Sequence, residues 1–250
     1  MKRLLAALLF CAPPALAGTP KYSPVGGAVA VPLAQDNAYF RTPGTPAYDY
    51  WDLAAFYVPQ YTGAACSDAA VTMALNALLN ARRQRGDEEK NLDQRGVPDL
   101  VKGFPWKALV SEEGYEGRHG ATLAQLGQAA AEAAAGCGAD VAVTVTTVAA
   151  QTAQGLESFR RALSGNEKSP DDIMLLHFAQ DAVTGAPGGP YAHVSPVGAY
   201  DEKTRRVLVM DVDREWYEPY WAADAAVYAA MAVRTKAFGS GGYVIIRKKK

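Results

Sequence analysis

The sequence has few cysteines and histidines and no excess of either charge. Its 250 residues include three cysteines and three histidines. The 25 lysines and arginines nearly balance the 26 aspartates and glutamates. Three cysteines are too few for a disulfide framework, and the charge balance gives no sign of a surface built for nucleic acid. No internal repeat or low-complexity block is present. We therefore expect a globular domain with no nucleic-acid partner.

Long hydrophobic runs are also missing, apart from a short one at the N-terminus. Met1-Lys2-Arg3 is basic, residues 4–10 are apolar, and Ala15-Leu16-Ala17 has the small-x-small pattern of a cleavage site. This order predicts a secretory signal peptide over residues 1–17, too short to serve as a stable membrane anchor. The rest of the chain is long enough for one domain with a substantial core.

A lipid anchor at Cys11 is the alternative interpretation of this N-terminus. It is disfavoured because Phe10 is bulky, whereas a lipoprotein cleavage site needs a small residue before the cysteine. We therefore expect a periplasmic or secreted protein that carries no stable membrane anchor once the signal peptide is removed.

After removal of the signal peptide, two cysteines remain, Cys66 and Cys137. One interpretation is a disulfide between them, which is natural in an oxidising compartment. The other is that Cys66 is a nucleophile, because it opens a helical pattern six residues after Gln60. In that case Cys137, which lies between two glycines, is a small hydrophobic residue.

The apolar spacing predicts an α+β domain with helices early and antiparallel strands late. Residues 18–50 show no sustained period and are interpreted as an extended lead-in, followed by a catalytic domain over 51–247. The predicted elements are helices over 66–83, 122–135 and 156–163, strands over 141–148 and 173–178, and loops over 84–105 and 181–190.

A hairpin is predicted near the C-terminal third of the chain. Residues 192–200 and 206–212 are rich in strand-forming residues on either side of a polar turn. With the turn centred near residue 202 or 203, His193 faces Asp211 or Asp213. Side chains alternate with a period of two, so both aspartates share the face of His193 and both remain candidates for its partner.

Cysteine, histidine and aspartate therefore occur in the chain order used by Cys-His-Asn/Asp enzymes. Cys66 would be the nucleophile, His193 its base, and Asp211 the group that orients the imidazole. A helix N-terminus and an adjacent imidazolium both favour the thiolate, which is the reactive form. A glutamine side chain such as Gln60 can donate to the oxyanion of a tetrahedral intermediate.

The chain resembles the phytochelatin synthase catalytic domain, in its short bacterial form, within the papain-like cysteine peptidases. The likeness covers roughly residues 50–247. The matching blocks are Gln60…Cys66 with Val71–Leu78, Gly120–Leu123, Phe159–Arg161, His193–Tyr200, Asp211–Arg214, and Tyr217, Pro219 and Trp221.

The resemblance implies a papain-like fold and a glutathione gamma-glutamylcysteinyltransferase-like activity. Cys66, His193 and Asp211 would form the triad, Gln60 would complete the oxyanion hole, and Arg214 would hold a substrate carboxylate. Such enzymes cleave the Cys–Gly bond of glutathione through a thioester and pass the acyl group to water or to a second glutathione. The short bacterial members act mainly as hydrolases.

The chain's departures from this family include two that bear on the site. Ser67-Asp68 follows the cysteine where the family usually has glycine, and we interpret Asp68 as a partner of the helix dipole. The segment ending at Gln180 lacks the basic residues of the bacterial relatives, so we expect little transfer to a second glutathione.

Several alternatives remain open from the sequence. The protein could be an exported papain-like peptidase or amidase that acts on another small peptide, or a non-catalytic relative that binds a thiol or a metal. His119 and His177 are candidate metal ligands, although lone histidines are usually structural. Trp216, Tyr217, Tyr220 and Trp221 could form either a substrate wall or core.

No metal site and no required cofactor are predicted. Heavy-metal ions are left open as thiolate-bound substrate or as activator. The oligomeric state is also left open, with a homodimer as one option.

Overall fold

The computed structural model describes residues 30–80 and 91–249. Two short 3-10 helices span Tyr39–Arg41 and Val97–Leu100. The α-helices in these ranges are α1 (Tyr48–Ala54), α2 (Cys66–Asn80), α3 (Trp106–Leu109), α4 (Leu123–Gly136), α5 (Ala153–Glu167), α6 (Asp181–Thr184) and α7 (Asp224–Met231). The strands are β1 (Val31–Pro32), β2 (Val141–Thr147), β3 (Asp172–Ala179), β4 (Ala192–Asp201), β5 (Arg206–Val209), β6 (Tyr220–Ala223) and β7 (Gly242–Lys248).

The seven strands described form one sheet in the order β1-β6-β5-β4-β3-β7-β2. Every neighbouring pair is antiparallel. Alternate residues of β3 enter two different apolar clusters, because side chains of a strand point to opposite faces. Leu175 packs with α2 and α4 in one cluster, and Leu176 packs with α5 and α7 in the other. Helices therefore cover both faces of the sheet, and the predicted α+β class is confirmed.

Helix α2 runs through the larger of these two clusters. Its residues from Cys66 to Leu78 are all buried. A surface helix has one polar face. A helix that is covered on all sides has apolar or small residues around its whole circumference, as α2 largely does. The predicted helix begins at Cys66 as expected, and the part of the prediction beyond Asn80 lies outside the described residues.

Helix α4 begins where its capping residues predict. The Thr122 hydroxyl accepts from the backbone N–H of Gln125 at 3.2 Å, and the Gln125 side chain accepts from the backbone N–H of Thr122 at 3.0 Å. This reciprocal capping box satisfies two backbone donors that the helix itself leaves unpaired. Strands β2 and β3 and helix α5 also lie where the sequence predicts them, with ends that differ by up to four residues.

The sequence predicts an extended lead-in over residues 18–50, but residues 30–50, the part that the structure describes, contain regular secondary structure. They include β1, a 3-10 helix and the start of α1. Glu167, at the end of α5, explains why this segment is ordered against the domain. Its carboxylate accepts from the Tyr39 hydroxyl at 2.7 Å, from the Ala47 N–H at 2.8 Å and from the Tyr200 N–H at 2.6 Å.

The prediction of a loop throughout 181–190 is wrong for the first four residues of that segment. They form α6, in which the Gln180 carbonyl accepts from the N–H groups of Val183 and Thr184. Gly185 ends this turn in a left-handed conformation, with φ of 76°.

The signal peptide predicted over residues 1–17 lies outside the described residues. Among the residues described, no helix is long and apolar enough to span a bilayer.

Candidate active site

Cys66 is the first residue of α2 and lines a surface cleft of about 1140 Å³. The cysteine is largely covered, with 8% of its surface exposed. Its sulfur therefore lies at a helix N-terminus, where the backbone N–H groups carry partial positive charge. The residues that line the cleft include Gln60, Cys66, His193, Asp213, Arg214 and Trp216.

The segment before Cys66 is tied to two other parts of the chain. The Gln60 N–H donates to the Val212 carbonyl at 2.8 Å, and the Thr62 hydroxyl donates to the Val110 carbonyl at 2.7 Å. These bonds place Gln60 in the wall of the cleft that also contains Cys66. The buried side-chain oxygen of Gln60 has no hydrogen-bond partner among the described residues. Rotation of the side-chain amide exchanges its oxygen and its NH2 group. The position without a partner can therefore hold either an acceptor or a donor for a ligand.

His193 lies on β4 and contacts both other members of the predicted triad. Its Nε2 lies 2.9 Å from Asp211 Oδ1, and the Cys66 side chain lies close enough to the ring to raise the pKa of His193. Nε2 also lies 2.9 Å from the Ser195 hydroxyl. Asp211 and Ser195 thus occupy one ring nitrogen, which leaves Nδ1 for the thiol. The structure therefore brings together the thiol, imidazole and carboxylate predicted from the sequence.

Burial and charge act in opposite directions on this pair. Burial alone lowers the pKa of His193, but the Asp211 carboxylate, followed by Cys66, raises that pKa well above its usual value. Burial alone raises the pKa of Asp211, but His193, Gln180 and the Asp213 N–H together lower it. The two groups consequently face each other as imidazolium and carboxylate at neutral pH.

Asp211, rather than Asp213, occupies the orienting position that the sequence left between them. The hairpin register pairs Val197 with Val209, and continued along the strands it places Asp211 across from Ser195. His193 is therefore its diagonal neighbour, which is within reach of long side chains. Asp213 contributes its backbone N–H, which donates to Asp211 Oδ1 at 2.9 Å.

Two polar residues of this site escaped the sequence-based assignment. Ser195 is a same-face neighbour of His193 on β4, and its hydroxyl also accepts from the Val212 N–H at 3.4 Å. Gln180 follows the buried strand β3, and its Nε2 donates to Asp211 Oδ2 at 2.9 Å. A polar residue directly after an apolar strand that neighbours the histidine strand was the available signal for Gln180.

Arg214 lies exposed in the cleft, with its guanidinium held from one side. Its Nη1 donates to the Tyr217 carbonyl at 3.1 Å and to the Tyr57 hydroxyl at 3.3 Å. The guanidinium carbon lies 5.0 Å from the centre of the Tyr57 ring. Tyr57 in turn donates its hydroxyl to the Asp211 carbonyl. A positive charge is thus fixed in the same cleft as Cys66.

Of the four aromatic residues considered as substrate wall or core, two line the cleft and two belong to the core. Trp216 is 62% exposed and lines the cleft, and Tyr217 lines it while remaining buried. Tyr220 and Trp221 are fully buried in the core.

The remaining candidates are separate from one another. His119 is exposed in the cleft, whereas His177 is buried, bonds to the Ala121 carbonyl and has its pKa lowered to about 4 by burial. In the described part of the chain, no group of three or more potential metal ligands is found. Cys66 and Cys137 are both free cysteines, so the disulfide considered for them is not formed.

A cysteine at the start of a buried helix, faced by a histidine–aspartate pair on an antiparallel sheet, defines the papain-like class of cysteine enzymes. Comparison with known proteins agrees with this class. A model of the family described as phytochelatin synthase matches residues 41–243, and the chain belongs to that family.

One curated relative is the glutathione gamma-glutamylcysteinyltransferase of Schizosaccharomyces pombe. It is 32% identical over 91 residues, a match that covers 36% of this chain and 21% of the relative. The chain thus aligns with about a fifth of the length of that protein.

Proposed function

We propose that this protein is a cysteine enzyme that cleaves the Cys–Gly bond of glutathione through a γ-glutamylcysteinyl thioester on Cys66. The observation that carries the proposal is that His193, in the wall of the cleft, lies against both Cys66 and Asp211. Family membership and the name of the S. pombe relative support glutathione as the substrate.

The acylation step involves Cys66 as nucleophile, Gln60 as oxyanion donor and His193 as proton donor. The Cys66 thiolate attacks the carbonyl carbon of the Cys–Gly peptide bond. The resulting oxyanion receives hydrogen bonds from the Cys66 N–H and the Gln60 amide, since preorganised donors act on charge that develops in the transition state. His193, as imidazolium, gives its proton to the departing glycine amine, and Asp211 holds the ring in place.

Hydrolysis completes the cycle. Neutral His193 takes a proton from water, which attacks the thioester carbonyl and releases γ-glutamylcysteine and the thiolate. Arg214 is the group we assign to a substrate carboxylate, because its charge is fixed in the same cleft as Cys66. The reaction so written needs no cofactor, and a heavy-metal thiolate of glutathione enters it as an alternative substrate. The signal peptide predicted from the sequence supports a location in the periplasm or outside the cell.

The direct test is product analysis by mass spectrometry after incubation with glutathione. Wild-type protein should release glycine and γ-glutamylcysteine in equal amounts, and Cys66→Ser should reduce release below a few per cent, because a hydroxyl does not supply an accessible anion. Cys137→Ser is the matched control, since Cys137 is the other thiol of the described residues and does not line the cleft.

Two results would contradict the proposal. One is glycine release by Cys66→Ser at a rate close to wild type. The other is a wild-type protein that leaves glutathione intact but hydrolyses another small peptide or amide, which would favour a different substrate for the same thiol. Alkylation of Cys66 no faster than that of free cysteine would instead indicate a non-catalytic protein.

A further inference from the structure

We propose that Gln180 is a positioning residue for the reaction, which holds the second oxygen of Asp211 and so fixes the carboxylate against His193. This inference rests on the proposed function in that Cys66 and His193 are taken as the reacting pair. It concerns a residue that neither contacts the thiol in the proposed scheme nor belongs to the predicted triad.

The contacts of Asp211 show what Gln180 contributes. Asp211 is fully buried, and its Oδ1 accepts from His193 Nε2 and from the Asp213 N–H, both at 2.9 Å. Its Oδ2 accepts from Gln180 Nε2 at 2.9 Å. Without that donor, Oδ2 of the buried Asp211 carboxylate would lose its side-chain partner. The carboxylate could then rotate away from the orientation that His193 needs.

Gln180 is well placed for this task because its own backbone is held on both sides. It is 5% exposed and stands where β3 passes into α6. Its N–H donates to the Tyr191 carbonyl at 2.9 Å, and its carbonyl accepts from the Thr184 hydroxyl at 3.1 Å. A side chain that starts from a restrained backbone loses little further freedom when it binds its target.

The choice of an amide also has a chemical consequence. A neutral N–H donor stabilises the carboxylate, whereas a lysine or arginine at this point would place a second cation close to the imidazolium of His193 and oppose its charge. Gln180 therefore supports the ionised form of Asp211 and leaves its full charge available to His193.

The test is the isosteric exchange Gln180→Glu, followed across pH. Above the pKa of the new carboxyl group, two carboxylates face each other, and we expect kcat for glycine release to fall about 10- to 100-fold, the cost of a lost hydrogen bond to a charged group. KM should change little. At acid pH the new carboxyl group is protonated and donates its O–H to Asp211, so the variant should recover much of the wild-type rate.

Two further variants separate positioning from folding. Gln180→Met removes the donor without adding an acid, and it should lose activity with no recovery at acid pH. Gln154→Glu makes the same chemical exchange on an exposed side chain of α5, away from the cleft, and should follow the wild-type pH profile. Circular dichroism confirms that each variant is folded.

The outcomes distinguish this inference from the proposed function. The rate of Cys66 alkylation by iodoacetamide, measured in a Cys137→Ser background, reports on the thiol–imidazole pair without any substrate. If wild type leaves glutathione intact but alkylation shows the same pH-dependent effect of Gln180→Glu, the positioning role stands and the substrate is wrong. If glycine release is normal in both Gln180→Glu and Gln180→Met, the positioning role is wrong and the proposed function stands.

Discussion

The charge on His193 depends mainly on one neighbouring carboxylate. Burial by itself would discharge this imidazole, and the Asp211 carboxylate reverses that effect. A group whose pKa is raised in the folded protein keeps its proton, and the favourable pairing with it, until the pH rises through the raised value. The imidazolium form of His193 should therefore persist to alkaline pH.

The first prediction at this scale is that Asp211→Asn moves the alkaline limb of kcat/KM to lower pH. Asparagine can still accept a hydrogen bond from the imidazole, but it carries no charge, so burial lowers the pKa of His193. The loss of rate near neutral pH should be smaller than for His193→Ala, which removes the base entirely. A pH–rate profile for glycine release measures both effects.

Asp213→Asn is the comparison variant, because Asp213 gives its backbone N–H to the site and that group is unchanged. Its alkaline limb should coincide with that of wild type. An alkaline limb that moves in Asp213→Asn and stays in place in Asp211→Asn would show that the orienting carboxylate has been assigned to the wrong residue.

At the scale of the element, two features of α2 conflict at Asp68: its place in the first helical turn favours a charged carboxylate, whereas its burial disfavours one. The helix is covered on all sides and must present Cys66 at its N-terminus. Asp68 lies in the first turn, as a partner of the helix dipole should, but it is fully buried. Burial raises the pKa of this carboxyl to about 8, even though the Thr72 hydroxyl donates to it. Asp68 is therefore mainly protonated at neutral pH, which the sequence pattern did not indicate.

The second prediction concerns stability, and its sign follows from this raised pKa. The folded state holds the proton of Asp68 up to about pH 8, whereas the unfolded chain releases it near pH 4. The contribution of Asp68 to stability is therefore complete at acid pH and is lost progressively as the pH rises towards 8. Asp68→Asn cannot lose a proton, so its stability relative to wild type should increase over this range by roughly 2 kcal/mol or more.

Urea denaturation at pH 5 and pH 8 measures this difference. Any constant cost of the new amide cancels in the comparison between the two pH values. Asp99→Asn is the control, since Asp99 is exposed and pairs with Lys107 on the surface, where such pairs contribute little. A relative stability of Asp68→Asn that is flat or falls between these pH values would contradict a protonated Asp68.

At the scale of the whole molecule, the cleft is built from segments that are far apart in the chain. The segment from Gln60 to Cys66, the strand carrying His193, and residues 213–217 all line it. The approach to His193 is an exposed stretch over residues 187–191. An acceptor other than water would have to be bound and oriented by these walls, because positioning is what makes a second substrate competitive with water.

The third prediction is that γ-glutamylcysteine and glycine dominate the products, with little chain extension, as glutathione is raised with and without cadmium. The stretch over 187–191 is exposed and supplies no cationic side chain for a second glutathione. Chromatography with mass spectrometry resolves γ-glutamylcysteine from its oligomers. Oligomers that exceed free γ-glutamylcysteine at high glutathione would show a functional acceptor site and overturn the hydrolytic assignment.

Much of the fold was predictable because local signals agreed with the tertiary structure. The capping residues of α4 and the helical apolar spacing after Cys66 are properties of short segments. The alternation of the hairpin strands correctly placed His193 and an aspartate on one face. The short helix α6 was missed because glycine and proline nearby indicated a loop, and the segment from residue 30 to 50 because its contacts with Glu167 are remote in sequence.

By itself, the sequence determined which residues could do the chemistry, since the order of cysteine, histidine and aspartate and their distances from Gln60 and Arg214 are written in the chain. Only the tertiary structure decided which aspartate contacts His193, because beyond the bulge between Val197 and Ala199 the choice rests on the directions of the side chains. It also decided that Gln180 binds Asp211 and that Asp68 keeps its proton. Register, burial and the direction of a side chain arise from contacts between distant segments, and no local pattern encodes them.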